Sequence, residues 1–187
     1  LTRLYCNYNQ LTSLDVSKNT KLRELQCFAN QLSSIYVTGC VTLQYLQCYS
    51  NKLTSLNVSG CTALTQLNCY NNQLTSLDAS GCTALTNLEC YNNKLTSLNI
   101  SGCTVLRWLN CYQNQIKGAA MDALVASLPT VSYGTMQVIY NVNEVNAMTT
   151  IQVAAAKAKG WKPCYYESYR WEEGQRPYDR AFSYQFH

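Results

Sequence analysis

The sequence predicts an α/β solenoid: short coils stack to share one parallel β-sheet, and helix-containing units close one end. Three observations carry this prediction. Residues 1–117 repeat with a period of 21. One asparagine per period recurs without exception. Beyond residue 117, strand-like and helix-like segments alternate, and the steps from Cys111 to Ile139 and from Ile139 to Tyr166 are each longer than the coil period.

The period is visible column by column. Leu1, Leu22, Leu43, Leu64, Leu85 and Leu106 share one column, and Leu4, Leu25, Leu46, Leu67, Leu88 and Leu109 share the next. Cys6, Cys27, Cys48, Cys69, Cys90 and Cys111 form a third. Asn9, Asn30, Asn51, Asn72, Asn93 and Asn114 form a fourth, followed by Leu11, Leu32, Leu53, Leu74, Leu95 and Ile116. The unit is LxxLxCxxNxLxxL. Leu4 and Cys6 alternate with outward residues, as a half-buried strand requires. So short a coil leaves no room for a full helix on its return side, so that side is expected to be extended or 3₁₀-like. The asparagine falls where the chain turns inward, and a buried amide there can satisfy backbone groups that no strand ladder reaches. Gly39, Gly60, Gly81 and Gly102 mark a second corner, where positive φ is easy.

These columns resemble the leucine-rich-repeat family, whose repeats run to roughly 20–29 residues. The resemblance covers residues 1–117, and cysteine replaces a strand leucine in every coil. It implies a leucine-rich-repeat solenoid with its parallel sheet on the concave face. The wording CYNNQLTSLDASGCTAL is most similar to surface or secreted leucine-rich-repeat proteins of Bacteroidetes-type bacteria, and more distantly to internalin-like repeats.

The remaining elements follow in order. Met121, Leu124, Val125 and Leu128 fall at helical spacing, and Pro129 stops that run. Met136–Tyr140 reads as a strand. Thr149 and Gln152 form a capping box that opens a helix to about Lys159, with Gly160 as its stop. Pro163–Tyr169 reads as another strand. The spacings are similar to ribonuclease-inhibitor-like repeats, so the sheet is expected to continue through both strands with right-handed connections. The predicted division is residues 1–117 as six repeats, 118–169 as a C-terminal cap with two strand–helix crossovers, and 170–187 as a charged aromatic tail. At the other end, Leu1, Leu4, Cys6, Leu11 and Leu14 face an open coil edge, so upstream repeats or an N-terminal cap are expected in the full-length protein.

Ten of the eleven cysteines repeat with the coil: six in the strand column, and Cys40, Cys61, Cys82 and Cys103 in a second one. Only Cys164 stands apart. Such placement predicts buried free thiols acting as small hydrophobes. Disulfides and metal are the weaker alternatives, because parallel Cβ vectors suit bridging poorly and zinc needs converging ligands. No metal or cofactor is expected.

Three columns should face solvent on the sheet. At the strand entrance stand Arg3, Glu24, Tyr45, Gln66, Asn87 and Trp108. Next come Tyr5, Gln26, Gln47, Asn68, Glu89 and Asn110. The third is Asn7, Phe28, Tyr49, Tyr70, Tyr91 and Tyr112. An aromatic ladder thus runs beside an amide ladder. It is either a recognition strip or sheet packing propagated by repeat copying, since aromatics are good strand formers. The candidate ligand-binding residues are Tyr45, Glu89 and Trp108, which break the repeat and which copying does not explain, followed by Phe28, Tyr49, Tyr70, Tyr91 and Tyr112.

Other functions find little support. Charged residues are 13 % of the chain and net charge is +4, with eight Lys/Arg against four Asp/Glu in residues 1–117 and six against six beyond. No basic run marks a nucleic-acid face. No apolar stretch is long enough to insert in a membrane. The one histidine is His187, so no nucleophile–base pair is available. Glu24 and Glu89 lie three coils apart, too far for paired-carboxylate hydrolysis, which needs about 5–10 Å. The expected function is a non-enzymatic module that binds a protein or glycan ligand through the concave face of a bacterial surface or secreted protein. The alternatives are a structural spacer in a larger surface protein, or a cytoplasmic interaction protein, as unpaired cysteines would suit.

Overall fold

The computed structural model describes residues 1–140 and 145–165. Each coil contributes one three-residue strand to the main sheet. These are β1 (Arg3–Tyr5), β3 (Glu24–Gln26), β5 (Tyr45–Gln47), β6 (Gln66–Asn68), β8 (Asn87–Glu89) and β10 (Trp108–Asn110). The sheet continues through β11 (Gly134–Ile139) and β12 (Trp161–Tyr165), with every neighbouring pair parallel. Return-side strands β2 (Ser13–Asp15) and β4 (Ser34–Tyr36) pair with each other, as do β7 (Ser76–Asp78) and β9 (Ser97–Asn99). The return side is therefore extended. Asp15, Asn57, Asp78 and Asn99 shape its corners by accepting the backbone N–H of the serine two residues on, at 2.8–3.0 Å.

Register is held without slip along the coils. Arg3, Glu24, Tyr45, Gln66, Asn87 and Trp108 are direct partners across successive strands, and so are Tyr5 through Asn110. The core between the two sides is one continuous column of leucines and cysteines. Leu25, Leu46, Leu67, Leu88 and Leu109 are fully buried, as are Cys27, Cys48, Cys69, Cys90 and Cys111. The first coil is more open: Leu1 is 64 % exposed, and Leu4, Cys6, Leu11 and Leu14 are only partly buried.

The asparagine column explains how such short coils close. Asn72 donates from Nδ2 to the carbonyls of Cys48, Cys69 and Tyr70 at 3.1–3.2 Å, and its Oδ1 accepts the Leu53 N–H at 3.0 Å. Asn30, Asn51, Asn93 and Asn114 repeat this pattern. Each amide thus ties its own turn to the preceding coil. The residue before it takes positive φ in every coil: Tyr8, Ala29, Ser50, Asn71, Asn92 and Gln113 lie at 50–55°. The corner glycines Gly39, Gly60, Gly81 and Gly102 are also positive, at 81–95°.

Helix α1 (Ala119–Ser127) buries Met121, Leu124 and Val125. Helix α2 (Thr150–Ala158) opens with the capping box at Thr149 and Gln152, and Gly160 at φ 83° follows its end. Both following strands begin two residues earlier than the sequence suggests, at Gly134 and Trp161. One contact causes both shifts. Gly134 pairs with Trp161, and a Cβ at Gly134 would come within 2.8 Å of the indole. The glycine therefore belongs inside the strand, not in a loop before it. Register also moves the buried column by one place. Asn110 pairs with Gln137, so Val138 rather than Ile139 follows Cys111. Pro163 lies inside β12, the last strand in the described order, where a missing N–H is tolerated. The far end of the predicted Pro163–Tyr169 strand and the 170–187 tail lie outside the described residues.

Candidate functional site

The concave face presents the three columns side by side. In the outermost, Phe28, Tyr49, Tyr70 and Tyr91 stack ring on ring at 4.4 Å, and Tyr112 follows at 4.6 Å. Strand spacing of about 4.8 Å sets this separation, and slight ring tilt closes it to contact. Tyr8 caps one end edge-on to Phe28 at 5.2 Å, and Tyr140 extends the other at 5.4 Å from Tyr112. Phe28 and Tyr112 are buried; Tyr49, Tyr70 and Tyr91 are half-buried. Burial pushes the Tyr49 and Tyr70 phenols up. The ring faces are taken up by one another. What the ladder shows to solvent is a row of ring edges and hydroxyls.

The other two columns are less uniform. Tyr45 is 37 % exposed in the strand-entrance column. Glu24, in the same column, is fully engaged: Arg3 Nε lies 3.4 Å from its carboxylate and the Tyr5 hydroxyl donates to it. Glu89 differs. Burial pushes its carboxyl up, opposed by a hydrogen bond from Trp108. The structure therefore brings together two of the residues that break the repeat, Glu89 and Trp108, and leaves Tyr45 three coils from Trp108.

Beside Glu89 the middle column continues into Asn110 and then Gln137, which are direct partners across β8, β10 and β11. Asn110 is 7 % exposed. Its Oδ1, and the Oε1 of Gln137, are buried and accept no hydrogen bond from the described residues. Sequence reasoning missed Gln137 and Tyr140 because the regular repeat stops at β10. The available signal was the longer step beyond β10, which sets Gln137 opposite Asn110. The β11–β12 register shifts between Gln137 and Ile139, and Tyr140 beyond it still stacks on the ladder. Asn146 was missed too. It occupies the next place in the asparagine column, accepting from Ile116 N at 2.8 Å and donating to the Cys111 carbonyl at 2.7 Å. The phrase Asn146–Ala147–Met148 repeats the N-x-L pattern.

No disulfide joins any of the eleven cysteines. Burial pushes Cys69, Cys61 and Cys103 up to about 12 and Cys82 up to about 11, far from the thiolate a nucleophile or metal ligand needs. The second column donates instead to backbone: Cys40, Cys61, Cys82 and Cys103 Sγ lie 3.3–3.8 Å from the carbonyls of Val16, Val37, Val58 and Ala79. No three His, Cys, Asp or Glu side chains converge as a metal site among the described residues, and no described helix is long and apolar enough to cross a membrane.

Stacked coils on one parallel sheet, laced by a buried asparagine ladder, define a leucine-rich-repeat solenoid, and that is the fold of this chain. The family model for Leucine Rich repeats (2 copies) matches residues 41–80 and 62–102. Two solved structures are similar. One is the functional domain of InlJ from Listeria monocytogenes, described as including a cysteine ladder: 30% identity over 84% of this chain and 37% of that one, TM-score 0.55. The other is a leucine-rich-repeat protein of Leptospira interrogans: 28% identity over 63% of this chain and 33% of that one, TM-score 0.58. This chain thus spans about a third of the length of each. No curated protein matches the sequence. Leucine-rich-repeat proteins typically mediate protein binding or act as scaffolds.

Proposed function

We infer that this chain is a binding module that recognises a protein or glycan through the concave face of its sheet, within a bacterial surface or secreted protein. In this reading residues 1–117 are the recognition array, and 118–169 close the core at its C-terminal end. The observation that carries it is the break in repetition on the concave face. Tyr45, Glu89 and Trp108 stand where the coils need no particular side chain, and Glu89 and Trp108 meet. Ring edges and hydroxyls of Phe28, Tyr49, Tyr70, Tyr91 and Tyr112 would form the flank of the site rather than a stacking platform. The surface or secreted placement rests on the wording of the repeats and on the bacterial origin of both similar structures.

Ring stacking along the ladder favours a second reading, a structural spacer, because a self-packed rib needs no ligand. One experiment separates them. The chain is offered to a glycan array and to a displayed peptide library, and hits are re-measured with Tyr45→Ala and Trp108→Ala. A recognition module loses at least about tenfold in affinity with one of these variants at unchanged melting temperature, the scale of an interface hot spot. Hits indifferent to both variants would support the spacer.

A further inference from the structure

The two acids on the concave sheet are treated in opposite ways. Glu24 is neutralised within the chain by Arg3 and bound by Tyr5. Glu89 is half-buried, with the Trp108 indole N–H near enough to oppose the effect of burial on its carboxyl, and it forms no ion pair among the described residues. In the strand-entrance column beyond Trp108 and Thr135 stands Lys162, and its ammonium lies over the Tyr133 ring at 4.4 Å. Alongside Glu89, the buried oxygens of Asn110 and Gln137 also lack donors among the described residues.

A desolvated carboxylate and two orphan carbonyl oxygens stand in line, on strands about 4.8 Å apart, as a row of unfilled acceptors. Native structures rarely leave such groups empty-handed. A sugar hydroxyl brings one proton and also wants to accept. A guanidinium brings five N–H donors in one plane plus the charge that Glu89 lacks. We propose that Glu89, Asn110 and Gln137, with Trp108 as one wall and the Tyr91–Tyr112 edge as the other, form a subsite for a basic side chain, arginine above all, of a protein partner. This deepens the concave-face reading and rests on it for biological meaning, but it makes its own physical claim. It favours a protein over a glycan, because sugars rarely carry a guanidinium.

The test uses the chain as it stands and needs no identified partner. Nα-acetyl-arginine amide is titrated at constant ionic strength, with the Trp108 indole N–H and the Asn110 and Gln137 side-chain amides followed by NMR. The neutral citrulline analogue and calcium chloride are titrated in parallel. Saturable shifts are expected at these three groups for arginine, with Kd on the order of millimolar for one side chain. The citrulline analogue should bind at least about tenfold more weakly. Glu89→Gln should abolish the response and, by removing an unpaired buried charge, leave the free chain melting no lower than the parent at pH 7. Gln137→Met keeps the shape, removes one acceptor and should weaken binding several-fold. Equal binding of the citrulline analogue, tighter site-specific binding of calcium, survival of the arginine response in Glu89→Gln, or no saturable shift would each overturn the proposal. The array experiment can fail while arginine still binds, and arginine can fail while Tyr45→Ala still disrupts a captured ligand, so the two readings fall separately.

Discussion

The short coils and the helix-containing units solve the same problem by different means. Both must satisfy the backbone groups of a parallel sheet whose strands are joined by short connections. In the coils the solution is a repeated side chain: one asparagine amide per coil and, at the opposite corner of four coils, one thiol, both bonding from the second coil on to the coil before. In the C-terminal units most of that work is done within helices, and what remains falls to single residues. Lys159 Nζ donates to the carbonyls of Val125, Ala126 and Leu128 at 2.6–3.1 Å and so closes the end of α1. Gln152 Nε2 reaches Asp122 Oδ1 at 2.6 Å, and the Trp161 indole N–H donates to the Pro129 carbonyl at 2.8 Å. Asn146 marks the handover, performing the coil's function inside the longer unit. A short coil can be copied only if a few residues satisfy its polar groups; a helical unit need not be copied and can use unique ones.

The largest consequence should appear with pH. The coils hold ten cysteines, and burial raises the thiols of Cys27, Cys48, Cys61, Cys69, Cys90 and Cys103 most. A thiol raised above its unfolded pKa stabilises the fold fully below that value, and the contribution is lost as pH climbs toward the folded one. Stability should therefore be flat from pH 7 to the ordinary thiol value of 9.0 and fall beyond it, toward about 12 for Cys69. Six buried thiols at about 1.4 kcal/mol each per pH unit imply a loss of roughly 8 kcal/mol by one unit above the onset. Urea unfolding between pH 7 and 11 reads this, and Cys69→Ala with Cys90→Ala should flatten the slope. Amide exchange should show β3 to β10 opening before α1 and α2. A pH-independent midpoint would mean that the thiols do not govern this region.

The asparagine ladder comes next. Asn72→Ala strips partners from the Leu53 N–H and three carbonyls, and is expected to cost about 2–4 kcal/mol. Asn146→Ala removes a similar set, but exchange should accelerate in residues 116–165 and spare the first coils. Lys159→Met should cost about 1–2 kcal/mol, confined to the packing of α1 against α2. If Lys159→Met loosened the coils as well, the two regions would form one cooperative unit instead of neighbours that share an interface.

How much could be read beforehand follows the same divide. The leucine, cysteine and asparagine columns were legible because each recurs in every coil, and recurrence filters out chance. The helices were legible from Met121, Leu124 and Val125 and from the Thr149–Gln152 box, which are local signals. The true starts of β11 and β12 were not, since both depend on Gly134 meeting Trp161 across a whole helical unit of sequence. The Glu89–Trp108 meeting lay in two columns taken together but not in either alone: a diagonal contact needs register. The self-stacking of the tyrosines was foreseen only as one of two alternatives, because sequence does not show which way a ring turns.

The smallest effect concerns the positive-φ position, where the coils are unequal. Asn71 and Asn92 suit left-handed backbone, and Asn92 Nδ2 also bonds to Asn71 Oδ1 at 2.7 Å. Ala29, at φ 52°, has the strain without the local hydrogen bonding. Glycine would relieve the strain but restore freedom to the unfolded chain, so the two effects largely cancel. Asparagine relieves it without that penalty. Ala29→Asn should thus stabilise by about 0.5 kcal/mol, while Ala29→Gly stays near neutral. Paired urea titrations of the two variants resolve the order. If glycine proved clearly better than asparagine, backbone strain rather than side-chain bonding would be what distinguishes the early coils from the middle ones.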